Sequence, residues 1–275
     1  MPTAHDTITL KHTHSTEIDY LVFTASNTLF ALPYYILIKI VDCPQCTSLP
    51  NMPSYMRGVV ELMGKPVILL DMRKIIGNNS LAEEIDELTA TIATRKQDHL
   101  NWINKLKDSV YNVKEITVET NPHKCAFGRW YDTFKTESIN LKNFMKRFDT
   151  PHKSIHNLAV EVKKLIEQGQ RGNAEELILH AENNELRLLI GLFDTFEETV
   201  RSFTYEYAIM INNGKQQFAL AVDGISSFGK FDEVIPKLPA SMRVPADHLV
   251  ETIGRKVLED RLEDILIINC DNLTL

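Results

Sequence analysis

"YEYAIMINNGKQQFALAVDGIS", residues 205–226, brings the chain back to β-strand character after a long stretch without it. Two apolar runs flank Asn213 and Gly214, residue types that accept positive φ in a tight hairpin turn. The same kind of short run fills Tyr20 to Asp71: "YLVFTA", "TLFALP", "ILIKIV", "GVVEL" and "PVILLD", bounded by Asn, Pro and Gly. These read as strands, with a short helix after them at Met72–Ile76. A last run, "DILIINCD", reads as a closing strand with Cys270 as an apolar core residue. Between Leu81 and about Phe203 alternation disappears and helix formers dominate. The order strands, helices, strands fits an α+β fold that segregates its elements, or a helical domain inserted into a loop of a β-domain. A bundle with an even number of helices returns the chain to the end where it entered, so insertion disturbs the host little. Insertion is the preferred reading. It makes residues 1–80 and 202–275 one discontinuous β-domain, with 81–201 as the insert.

Composition narrows the function. A chain of 275 residues, 44% hydrophobic, buries enough for one large domain or two ordinary ones. A net charge of −7 argues against the basic surface that non-specific nucleic-acid binding needs. The N-terminal "MPTAHDTITLKHTHSTE" has no apolar signal-peptide core, and no run approaches ~18 consecutive apolar residues. A soluble, cytoplasmic, bacterial-type protein with reduced thiols is expected. Cys43 and Cys46, in "DCPQC", form a Cys-x-x-Cys. With no second pair of cysteines, a strand-end loop is favoured over a redox pair or half of a metal site.

In the helical segment, Leu81, Ile85, Leu88, Ile92, Ile103, Leu106 and Val110 step by threes and fours along a helix from Leu81 to Val110. Seven residues past Ile92 the stripe meets His99 instead of a hydrophobe. A second helix opens at "TPHKSIHNLAVEVKKLIEQG", with Thr150 as cap, Pro151 at its first position and Gly169 as stop. His152 and His156 are four apart on the stripe of Ile155, Ala159, Val162 and Ile166. Buried imidazoles on one face need something to engage them, either neighbouring groups in the core or a metal. Cys125, in "HKCAFGRWYD" (123–132), adds a thiol. Three imidazoles and one thiolate suit tetrahedral zinc, and four protein ligands close the shell against a water nucleophile. His123 and His180 are set aside as a loop residue and a last-helix residue.

Cys125, Phe127, Gly128, Trp130 and Tyr131, preceded by His99 and followed by His152 and His156, resemble the chemoreceptor zinc-binding (CZB) domain over roughly residues 84–200. The family motif is Cys-x-Leu/Phe-Gly-x-Trp and an aromatic. The resemblance implies a four-helix bundle with one zinc on His99, Cys125, His152 and His156, often as a homodimer. "LPNMPSYMRGVVELMGKPVILLDMRKIIG" resembles the CheW family of chemotaxis coupling proteins, and "TLFALPYYILIKIVD" and "FALAVDGISSFGKF" fit its neighbouring strands. That resemblance implies two small Src-homology-3-like β-barrels sharing an apolar groove. It also implies a scaffold that binds the cytoplasmic tip of a chemoreceptor and the histidine kinase CheA. Arg57, Leu62 and Met63 are the implied partner-binding residues. The family's Leu-Arg-Gly is Leu62-Met63-Gly64 here, so a contact charge is replaced by an adaptable apolar side chain.

The expected fold class is therefore α+β and multi-domain, and the expected function is a chemotaxis adaptor at receptor arrays. Its zinc site would sense zinc or an oxidant such as hypochlorous acid through Cys125. One alternative is a purely structural zinc that staples the bundle. A zinc enzyme is the remaining alternative. Asp98 points about 100° away from His99 around the helix, and Asp132 could serve only as a partner to a metal ligand, not as a base.

Overall fold

A computed structural model describes residues 18–136, 138–235, 249–258 and 260–273. The N-terminal stretch read above for a signal peptide lies outside them. The chain divides into two compact units: one ends at Leu81 and resumes at Tyr205, the other spans Ala82–Thr204.

The first unit holds β1 (Tyr20–Ala25), β2 (Thr28–Pro33), β3 (Leu37–Asp42), β4 (Met56–Leu62), β5 (Lys65–Asp71) and α1 (Met72–Ile75). After the helical unit come β6 (Tyr207–Asn212), β7 (Gln217–Val222), β8 (Gly224–Gly229), β9 (Glu233–Ile235), β10 (Val250–Leu258) and β11 (Arg261–Ile268). They form two sheets, ordered β8-β1-β2-β11-β10-β9 and β3-β6-β7-β5-β4. Pairing is antiparallel except for β2 with β11 and β5 with β7. The chain leaves for the helical unit after β5 and α1 and returns in β6; β7 lies between β5 and β6 in the sheet.

The strands read as unbroken apolar runs because both faces are buried. Successive side chains of a strand point to opposite sides. On β1, Tyr20 and Val22 join a cluster with Ala31, Phe231, Ile265 and Ile267, belonging to the first sheet alone. Leu21 and Phe23 point the other way, into a core shared with Leu70, Ile209, Ile211, Phe218 and Leu220 of the second sheet. The second sheet's other face packs Val60, Leu62, Val67, Leu69, Ala208 and Met210. Two sheets stand where two small β-barrels sharing an apolar groove were expected, and the space between them is a packed core.

Turn chemistry departs from expectation at Asn213. Only Gly214 has positive φ (84°). The Asn213 side-chain oxygen instead accepts from the backbone N–H of Lys215 (3.1 Å) and Gln216 (3.0 Å), closing a four-residue loop by an Asx turn. Among the described residues, the two-residue turns with both φ positive are Ser26-Asn27 (47° and 61°) and Met63-Gly64 (54° and 73°). Leu62 pairs with Lys65 across the second, which leaves Met63 at the tip, 67% exposed. Cys270 is buried as expected, but in a 3-10 turn just past β11.

The helical unit contains α2 (Leu81–Tyr111), α3 (Ala126–Thr133), α4 (Ile139–Lys146), α5 (Asp149–Glu167), α6 (Arg171–Ala181), α7 (Arg187–Asp194) and α8 (Phe196–Ser202). A π-helical turn, Glu182–Leu186, joins α6 to α7 as one rod. The bundle thus has three long rods, with short α3 and α4 filling the stretch between α2 and α5. Ion pairs tie α2 to the others: Lys107 to Glu182 (2.8 Å), Arg201 to Asp86 (2.5 Å), and Lys96 to Asp194.

Thr150 does not cap α5. Arg147 and Phe148 already have helical geometry, so the helix starts at Asp149 and Pro151 sits third in the first turn, where its missing N–H costs nothing. Gly169 does stop it, at φ 73°. Its N–H donates to Ile166 and that of Gln170 to Leu165, a Schellman motif.

Candidate metal centre

His99 of α2, Cys125 at the N-cap of α3, and His152 and His156 of α5 converge. One ligand atom from each lies within 4.8 Å of all the others. A zinc tetrahedron with Zn–N of ~2.0 Å and Zn–S of ~2.3 Å has edges of about 3.3–3.6 Å. The cluster needs only a slight contraction to reach it. The Cys125 Sγ to His152 Nε2 distance is already 3.2 Å.

The hydrogen bonds around the imidazoles fix which nitrogen faces the cluster. His99 Nδ1–H donates to the Arg95 carbonyl (2.7 Å) and His156 Nδ1–H to the Glu119 carbonyl (2.9 Å). A carbonyl only accepts, so the proton sits on Nδ1 in both rings and Nε2 carries the lone pair. Both Nε2 atoms are buried without a hydrogen-bond partner. A buried imidazole nitrogen left bare is costly, and a cation at the centre would satisfy both. The residues present therefore fit zinc.

Burial is also the main cause of the shifted protonation. It lowers His99 and His156, and with the neighbouring imidazoles takes His152 down to about 3. The rings are neutral, as ligands must be. The Cys125 thiol is raised by the same burial, against the opposing pull of the Gly128 and Phe127 N–H groups. Its sulfur accepts from the Gly128 N–H at 3.1 Å.

These shifts set a pH response for the metal-free protein. The unfolded chain takes up protons near the ordinary histidine value of ~6.5, whereas the folded His152 does so only near 3. Between these values the unfolded state binds more protons, so stability rises with pH and is lost as pH falls below about 6.5. The melting temperature of the metal-free protein should fall from pH 7 to pH 5, above the carboxylate range. The fall should be shallower in His152→Gln. Equal slopes would sink the assignment.

The motif residues build the floor. Phe127 is buried, its ring 4.8 Å from His152 and 5.7 Å from His99, and packed on Phe148 and Phe193. A Cβ on Gly128 would stand 1.8 Å from the Pro122 carbonyl oxygen, so α3 reaches the preceding loop only with glycine there. Trp130 packs on Phe127 and Phe134, and the Tyr131 hydroxyl donates to the Met145 carbonyl (3.2 Å). His123 is exposed and pairs with Asp132 (2.9 Å); His180 is exposed on α6, which is not the last helix. Asp98 lies beside the cluster but pairs with Arg95 (2.7 Å). One neighbour had no motif to announce it: Trp102 donates to the same Glu119 carbonyl (2.8 Å) and its ring lies 5.3 Å from His156. It sits one turn past His99, a spacing that places it on the same helix face.

The partner-binding candidates fall in different places. Arg57 is turned inward, with Nε on Asp71 (2.8 Å) and its two terminal nitrogens on Glu206 (2.8 and 2.5 Å). Leu62 is buried and Met63 is open. Cys43 and Cys46 are free, half-buried thiols packed against the second sheet; burial, with Glu206 nearby, pushes Cys43 up to about 11. Among the described residues no helix is long and apolar enough to cross a membrane.

Fold and site together define a β-unit interrupted by a helical unit that carries a cluster of candidate metal ligands. Residues 19–119 match the CheW-like domain and residues 99–163 the chemoreceptor zinc-binding domain. Two stretches of this chain are thus similar to these two families, and the matched ranges overlap over residues 99–119. No curated protein matches. Among solved structures, the scaffolding protein TtCheW from Thermoanaerobacter tengcongensis is similar at 12% identity and a TM-score of 0.41, over 92% of this chain and 90% of that one.

Proposed function

We propose that this protein is a cytoplasmic chemotaxis adaptor that couples chemoreceptors to the histidine kinase CheA and carries one zinc ion per chain as a sensor. The CheW-like coupling domain would comprise residues 1–80 and 202–275, and the zinc domain 81–201. His99, Cys125, His152 and His156 would hold the metal. The observation that carries this is their convergence, with two buried Nε2 atoms aimed at the cluster and lacking any other partner. Four protein ligands leave no open position for a water nucleophile, which favours a signalling role over hydrolysis.

Bound zinc would keep the Cys125 sulfur as a thiolate. With hypochlorous acid the thiolate sulfur takes the oxygen, chloride leaves, and a sulfenic acid results; sulfur loses two electrons and chlorine gains them. Oxidation would weaken one of the four ligands and disturb the cap that the same sulfur gives α3 through the Gly128 N–H. On the coupling domain, Met63 is the candidate contact residue open to a partner. The test is a reconstituted receptor–kinase assay, following kinase activity against zinc and hypochlorous acid. The wild type should respond and Cys125→Ser should not. Identical responses would reject sensing through Cys125 and leave a structural zinc.

A further inference from the structure

We infer that Trp102 is a positioning residue for this metal site, acting through a single backbone carbonyl. The inference rests on the zinc reading above. The Glu119 carbonyl accepts two hydrogen bonds, from Trp102 Nε1–H at 2.8 Å and from His156 Nδ1–H at 2.9 Å. A carbonyl oxygen has two lone pairs, and both are used. The direction of each bond is thereby fixed by the other.

The consequence reaches two ligands. Glu119 lies in the segment between α2 and α3, which has no helix or strand of its own and runs directly into Cys125. Loops of this kind are positioned by a few side-chain contacts. The Trp102 indole supplies one from α2, three residues past His99, so the helix that carries one ligand also anchors the loop that carries another. The same bond presents the carbonyl to His156, holding the proton on Nδ1 and the lone pair on Nε2. The indole ring, 5.3 Å from the imidazole, closes that side of the site. Partners that orient metal-binding histidines change affinity by about 10–100-fold when lost. An indirect partner should fall at the low end.

Trp102→Phe separates the parts, since it retains an aromatic ring against His156 and removes only the donor. The experiment measures zinc affinity and release rate of the full-length protein with a chromophoric chelator as competitor. Melting of the metal-free form and the His156 tautomer by ¹⁵N chemical shift complete it. Trp102→Phe should bind one zinc per chain about tenfold more weakly and release it faster. Its metal-free melting temperature should stay at the wild-type value, while His156 shifts away from a pure Nδ1–H form. Wild-type affinity and release rate in the variant would overturn the inference. So would a metal-free melting temperature lowered together with affinity, because that is the mark of a merely structural tryptophan. A wild type that binds no zinc would instead overturn the underlying reading.

Discussion

Cys125→Ser, purified under reducing conditions beside the wild type, should lose the zinc that the wild type carries at about one per chain. The substitution is clean for a structural reason. Cys125 caps α3 by accepting the Gly128 N–H, and serine is among the preferred N-caps, so its hydroxyl can take over that bond. What it does not supply is a thiolate. His152→Ala should lose zinc as well, but it also opens a cavity against Phe127, so its metal-free form should melt lower than that of Cys125→Ser. Because metal binds only the folded site, zinc at a thousand times its dissociation constant would stabilise the wild type by about 4 kcal/mol. Neither variant should show this difference between metal-loaded and chelated samples. Metal analysis and paired melting curves read both effects. A wild type without zinc at any concentration would return the four side chains to an ordinary core.

Arg57→Ala should destabilise the β-domain by about 3–5 kcal/mol, the range for breaking a buried charge pair by removing one partner. Asp71 is only 1% exposed; one carboxylate oxygen caps α1 at Lys74 and the other depends on Arg57. Without the guanidinium a buried carboxylate is left unbalanced, and Glu206 loses both its contacts. Arg57→Lys should recover little, because an ammonium cannot serve Asp71 and both oxygens of Glu206 in one planar fork. Urea unfolding measures the loss, and a change below about 1 kcal/mol would reject the account. The result also bears on partner binding: any weakened coupling in an Arg57 variant would first have to be separated from a weakened fold.

Much of this arrangement was legible from residue pattern alone. Both strand regions, the helix over residues 81–111, and the inward faces of His99, His152 and His156 follow from period and spacing, since each is a local rule about side-chain direction. Cys125 instead joins the candidate set through ligand chemistry and its motif resemblance. Features set by the backbone or by distant residues were harder to read. Asn213 occupies a hairpin position but uses its side chain, because the loop is four residues long and needs an internal acceptor. Thr150 has a capping identity, yet α4 ends only two residues before α5 and brings the chain in already helical. Arg57 reads as a surface charge until Glu206, distant in sequence, is placed beside it. The Glu119 carbonyl is invisible in principle, since every residue carries one; only Trp102, on the His99 face of α2, hints at it.

The route of the chain between β5 and β6 has a consequence in polymer terms. Both ends of the excursion are fastened in the host, Asp71 and Glu206 being held by one guanidinium. Arg201 and Asp86, near the two ends of the helical unit, are held to each other. While that unit is folded, the host experiences it as a short connection. If it melts, the host must instead close a loop of about 120 residues. Lengthening a loop from about eight residues to that size is roughly four doublings, or about 2 kcal/mol of closure entropy. Whatever holds the helices together thus also steadies the strands that receive them, through chain connectivity alone.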